Sequence, residues 1–173
     1  MRIVIAAILL CCTASASSAA ECAVSGIETA LAAPLGGLKM TERTVSDIQS
    51  TEGGVWRIYT KPDGKTHSII RIDGGESGMG ERRLSILGEE AYGIAITRID
   101  YLRHAFIDGA GPNGTAKRTT EFFYFCGGRL LVPAAEYATM DTAAYTETGE
   151  EARKALLSDK DVEEFTKNLL RQP

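Results

Sequence analysis

Histidine is nearly missing from this 173-residue chain: His67 and His104 are the only two, beside four cysteines and one tryptophan. A zinc-type site commonly needs two or three such ligands to converge, and a histidine acid–base catalyst needs a carboxylate to orient it. His67 shares a strand face with Arg71 and Asp73, opposite Ile70 and Ile72, which reads as a solvated polar face; His104 follows Tyr101-Leu102-Arg103 at a strand end. Neither sits in a local motif. There is also no Cys-x-x-Cys and no Gly-x-Ser-x-Gly, since Glu76-Ser77-Gly78 lacks the glycine at the required offset. The acidic pairs Glu89-Glu90, Glu150-Glu151 and Glu163-Glu164 are adjacent in sequence, whereas a glycosidase needs two carboxyls held roughly 5–10 Å apart across a cleft. The expectation is no catalytic residue, no metal ligand set and no cofactor. A hydrolase whose groups meet only in the fold, with His67 or His104 as base, is kept as an alternative.

Basic clusters are scarce too. Nothing larger than Arg82-Arg83 and Lys117-Arg118 occurs, and the formal net charge is -4. A sequence-independent nucleic-acid binder needs a positive surface, so nucleic acid is excluded as a partner.

No apolar run reaches the roughly 20 residues that a membrane-spanning helix requires. The one apolar stretch is at the start. Met1 and Arg2 are followed by the unbroken apolar residues 3–12 and by small and polar residues with Ala-x-Ala spacing up to Ala20. That is the pattern of a secretory signal peptide over 1–20, with cleavage after Ala20 or, alternatively, after Ala16. Cys12 follows Leu10-Cys11 and Cys22 follows Glu21, so neither has the small preceding residue that lipidation needs. The chain is therefore expected to be periplasmic or secreted, without a transmembrane anchor. Either cut removes Cys11 and Cys12 and leaves Cys22 and Cys126, which in an oxidising compartment are expected to form one disulfide in preference to a redox or metal pair. Residues 21–173 are the size of one domain. With Arg2 gone, the 19 basic residues fall to 18, against 23 acidic.

What is abundant is glycine, with 18 residues, set between segments rich in Val, Ile, Thr, Tyr and Phe. This punctuation predicts antiparallel strands over 40–49, 55–60, 67–72, 82–87, 91–101, 119–126 and 129–132. Lys61-Pro62-Asp63-Gly64 and Gly127-Gly128 have the composition of tight turns, and the connections are too short for crossover helices. Period-2 alternation puts Trp56 with Ile58, Leu84 with Ile86, and Tyr92 with Ile94 and Ile96 on shared faces. The strand at 119–126 is apolar on both faces, Phe123 and Phe125 against Phe122 and Tyr124, so something must cover it. A short helix follows residue 21, with Ser25 as N-cap and Ile27, Leu31 and Ala32 on one side. Thr148-Gly149-Glu150-Glu151 reads as a capping box opening a C-terminal helical segment, and Ser158 as the cap of a second one carrying Val162, Phe165 and Leu169. The stretch 133–148 reads either as helix or as a lid-like loop. The fold class is thus a single α+β domain, a twisted or half-barrelled antiparallel sheet of six to seven strands with helices packed on it.

The most unusual local sequence is the glycine-rich segment 73–81, which leads into a strand and carries no lysine, unlike a phosphate-binding loop. It reads as a flexible hairpin connection whose side chains reach a partner, and Glu76, Ser77, Met79, Arg82 and Arg83 are the expected contact residues. Asn113-Gly114-Thr115 reads as an exposed turn in preference to a glycosylation acceptor. Trp56, Tyr92 and Phe123 line either a core or the concave face of a small apolar-ligand carrier, and core is preferred because the C-terminal helix needs a surface to bury. The function expected from these residues is binding of a protein partner in the cell envelope, as an inhibitor or immunity protein for an exported enzyme or as an accessory factor.

Overall fold

The structure, a computed structural model, describes residues 22–47, 52–103, 114–133 and 141–170. The leader and both cleavage points, His104 and Asn113 lie outside these residues. Helix α1 (Val24–Ala32) precedes a run of seven strands. They are β1 (Lys39–Thr44), β2 (Gly54–Thr60), β3 (Thr66–Gly75), β4 (Gly78–Ile86), β5 (Ala91–Tyr101), β6 (Thr115–Cys126) and β7 (Arg129–Leu131). Helices α2 (Thr142–Leu157) and α3 (Glu163–Leu170) close the chain.

The strands form one open sheet in sequence order, every neighbouring pair antiparallel. This is the meander that short connections dictate. Gly127 and Gly128 both have positive φ, 55° and 72°, as a primed two-residue turn between β6 and β7 requires. Gly64, at φ 82°, closes the β2–β3 turn.

The apolar rows follow the predicted alternation on β2, β4, β5 and β6; on β3 it is Ile69, on the face expected to be solvated, that enters the main core, while Ile70 is buried on the α1 face. Ile58, Ile69, Leu84, Ile94 and Phe123 lie opposite one another across five strands and are all buried. Tyr145, Ala152, Leu156 and Leu157 of α2, with Val162 and Leu169, join these residues in the main core. Phe125 stacks on Tyr92 at 5.1 Å and Phe123 on Tyr145 at 5.0 Å, so the aromatic residues weighed as a carrier surface are packed core. On the opposite face α1 sets Ile27 and Leu31 against Ala91, Ala95 and Tyr124. The two-faced apolar strand β6 is thereby buried on both sides from Phe123 to Cys126, whereas Phe122 stays 39% exposed.

Three helix starts differ from expectation; α3 begins at Glu163, and Ser158, expected as its cap, is the C-cap of α2, its backbone N–H donating to the Lys154 carbonyl. Helix α2 begins seven positions before Gly149, at Thr142, because the Asp141 side chain accepts the backbone N–H groups of Ala143 and Ala144. Thr148 to Glu151 are therefore mid-helix, and no capping box forms there. Gly149 is tolerated in the helix because a Cβ at that position would stand 2.8 Å from the Phe123 ring and 3.1 Å from Leu130. Helix α1 starts at Val24, with Ala23 at the cap and Ser25 inside the first turn, where its carbonyl accepts the Thr29 hydroxyl.

Gly93 of β5 sets how closely α1 approaches. A Cβ there would lie 2.5 Å from Leu31 Cδ1, 2.8 Å from Leu31 Cγ and 2.8 Å from Ile27 Cγ2. Gly93→Ala is expected to lose about 1–3 kcal/mol by overpacking, read as a lowered denaturation midpoint. An unchanged midpoint would show that α1 can lift without cost.

The turn between α2 and α3 is fastened to the β1 end of the sheet. Arg43 bonds the Glu164 carboxylate and the Asp161 carbonyl, and the Asp161 carboxylate accepts the Ser46 backbone N–H at 2.7 Å. The Ser46 backbone bond holds the Asp161 carboxyl below its usual 3.8. A carboxyl with a depressed folded pKa adds stability above its unfolded pKa and loses it as pH falls through the folded value. Asp161→Asn should therefore be modestly less stable than wild type at neutral pH, with the gap closing in acid; urea titrations at pH 7 and pH 3 check this.

Candidate binding groove

The glycine-rich segment is mostly strand. The β3–β4 ladder runs out to a Gly75–Gly78 pair, leaving Glu76 and Ser77 as the whole turn. Ladder pairing of Gly74, Gly75, Gly78 and Gly80 replaces the flexible connection expected from the sequence, because glycine does not prevent backbone pairing where neighbouring strands supply partners.

Alternation then separates the expected contact residues. Arg82, opposite Arg71 and Ile96, stands on the face that carries α2. Met79 and Arg83 point to the α1 face, where Arg83 is engaged: its Nε donates to Ser85 Oγ at 3.0 Å and its Nη2 to the Ala33 carbonyl at 3.0 Å. Burial pulls its pKa below the usual arginine value, with Glu81 and Tyr59 opposing. Glu76 and Ser77 sit at the hairpin tip. These five residues do not make one surface.

A different set of residues comes together around Arg82. Helix α2 leaves part of its sheet face open, and a cleft of about 360 Å³ runs between them. Gly80, Arg82, Ile96 and Arg98 line it from β4 and β5, and Thr148, Glu151, Ala152 and Ala155 line it from α2. Gly80 pairs with Arg98 and Arg82 with Ile96, so the four form a tile with the two arginines at opposite corners. A Cβ built on Gly80 would meet nothing within 4 Å. A second hollow, of about 310 Å³, is lined by Glu121, Phe123, Asp141 and Tyr145, and Thr148 borders both.

The charges around the cleft are unevenly matched. Asp73 also lines it, but both its oxygens accept from Arg71 Nε, at 3.1 and 2.9 Å. Arg71, only 4% exposed, further donates to Asp159 at 3.2 Å and to the Asp47 carbonyl at 2.9 Å, with its guanidinium 5.6 Å from the Trp56 ring centre. Arg82 reaches Asp73 at 3.8 Å. Arg98 and Glu151 make no ion pair with any described residue. Arg71 and Asp73 thus form part of a buried network where the sequence suggested a solvated face, because the α2–α3 turn supplies Asp159 from 88 residues away.

His67 also differs from expectation. The register slips between Tyr59 and Thr60, which face Ser68 and Thr66, so His67 is left without a partner in β2. Its ring is half-buried, Nδ1 is shielded without a hydrogen-bond partner, and burial, then Lys61 and Arg83, lower its pKa. It stands at the start of β3, and the cleft lies at the strand's other end. Among the described residues, no three His, Cys, Asp or Glu side chains converge as metal ligands.

Cys22 and Cys126 are paired as a disulfide, with Cα atoms 5.5 Å apart, which joins the segment ahead of α1 to the end of β6. Among the described residues no helix is long and apolar enough to cross a membrane.

Gly80, Arg98, Thr148 and Glu151 line the cleft without belonging to any site motif in the sequence. Arg98 had a usable signal: within the alternation of 91–101 it shares the face of Ile94 and Ile96, a charge continuing an apolar row. No protein-family profile, curated protein or solved structure matches this chain.

Proposed function

We propose that this chain is exported by its leader and acts in the periplasm or outside the cell as a non-catalytic protein that binds another macromolecule, as an inhibitor or immunity protein for an exported enzyme or as an envelope accessory factor. The observation that carries this reading is the cleft between α2 and the β4–β5 tile, open to solvent and lined by unmatched charge. Its walls are a paired ladder and a helix anchored in the core, so binding there orders few groups and forfeits little entropy. Arg82 is the one expected contact residue that reaches this cleft.

The test is recovery of the tagged full chain from the envelope fraction of its source, followed by identification of what accompanies it. Wild type is expected to bring one exported protein in stoichiometric amount, and Gly80→Leu and Arg82→Glu to lose it while remaining folded. Retention of the partner by both variants would remove the cleft as the site, and recovery of the chain alone would overturn the reading.

A further inference from the structure

We infer that the cleft receives an extended segment of a protein partner, with an acidic side chain seated over Gly80 between Arg82 and Arg98 and an adjacent basic side chain turned towards Glu151. This rests on the binding reading above and adds the chemistry of the segment. Same-face diagonal positions on neighbouring antiparallel strands lie roughly 7–8 Å apart, close enough for two long arginine side chains to converge on one carboxylate. The space for that carboxylate exists because Gly80 has no side chain and the volume above it is empty.

The charge balance favours a carboxylate at this point. Asp73 is committed to Arg71 at 2.9 Å and holds Arg82 only at 3.8 Å, while Arg98 has no ion-pair partner among the described residues. Arginine forks match carboxylates in two-point hydrogen bonding. Across the cleft Glu151 projects from α2 between small residues, Thr148, Ala152 and Ala155, that leave room for a main chain. An extended chain sends successive side chains to opposite sides, so an acid directed at the sheet turns its neighbour towards the helix, where Glu151 favours a base. A free anion is a poorer occupant, since the chain's net charge of -4 repels it at long range, whereas a segment carrying both signs is not repelled.

The test is an amide-shift titration of the ¹⁵N-labelled full chain with acetyl-Gly-Asp-Lys-Gly-amide, with acetyl-Gly-Asn-Gln-Gly-amide, and with sodium acetate. The charged peptide is expected to give saturable shifts at Gly80, Arg82, Ile96, Arg98, Thr148 and Glu151, at least tenfold weaker in Gly80→Leu and in Arg98→Gln. Spectra of both variants that match wild type away from the cleft establish that they fold. Equal shifts from acetate would make this a small-anion site, equal shifts from the amide peptide would remove charge recognition, and no localised shift at millimolar peptide would remove the site; each overturns the inference. A partner captured by wild type and lost with Gly80→Leu, without any response to the charged peptide, would overturn this inference and leave the binding reading standing. Peptide binding without a captured partner would overturn the binding reading and with it the assignment of a partner segment, leaving only the cleft's preference for an acidic–basic pair.

Discussion

Arg71→Ala is expected to destabilise the protein by about 3–5 kcal/mol, the range for removing one member of a buried ion pair and leaving the other charges uncompensated. Arg71 touches three separate parts of the chain: Asp73 on its own strand, Asp159 in the α2–α3 turn and the Asp47 carbonyl ahead of β2. Asp73 and Asp159 are themselves only 16% and 12% exposed, so both carboxylates would remain largely shielded without their cation. The alanine also opens a gap beside the buried Trp56 ring. For a chain of this length the loss corresponds to a fall in Tm of roughly 10 °C. Arg71→Lys should fall between the two, because a single ammonium keeps the charge but cannot serve three acceptors in fixed directions. Denaturant unfolding of the three proteins measures this, and an alanine variant within 1 kcal/mol of wild type would show that the carboxylates find water instead. Arg71→Ala should also loosen the cleft, since Asp73, which lines it, is held by Arg71.

Most of the fold was legible because its determinants are local. Short connections allowed only an antiparallel meander, and alternation located Ile58, Ile94 and Phe123 on one buried face. Strand ends were less legible. β3 and β4 extend three and four residues beyond the predicted 72 and 82 because ladder pairing of β3 with β4, and of β4 with β5, carries glycines that propensity alone assigns to a loop. The start of α2 was displaced for a similar reason: Thr148-Gly149-Glu150-Glu151 has the composition of a capping box, but Asp141 supplies an earlier cap and Tyr145 an earlier anchor in the core. The cleft was the least legible part. It depends on the register that sets Arg82 and Arg98 at diagonal positions of β4 and β5 and on how far α2 covers them, and neither is encoded by local spacing. Glycine at position 80 reads as loop in sequence, whereas in the sheet it is the missing side chain that shapes the floor of a cavity.

Removing the disulfide with Cys22→Ser/Cys126→Ser is expected to cost about 2–5 kcal/mol, since the bond closes a separation of 104 residues in the unfolded chain. The cost should fall most heavily on α1. A helix of 9 residues is too short to persist by itself, and its packing rests on a small core of Ile27, Leu31, Ala91, Ala95 and Tyr124. The Tyr124 hydroxyl adds one tie, donating to the Glu28 carboxylate at 3.0 Å. Without the bond, α1 is expected to separate from the sheet before the main core unfolds, exposing the face around Gly93 and Tyr124. Hydrogen exchange would then show protection lost across α1, with β3 to β5 retaining theirs. Reductant provides an independent arm: it should lower the Tm of wild type and leave the double serine variant unchanged. If reductant leaves wild type unaffected, Cys22 and Cys126 do not constrain the chain in solution, and the anchoring of α1 must be assigned wholly to its close packing on Gly93.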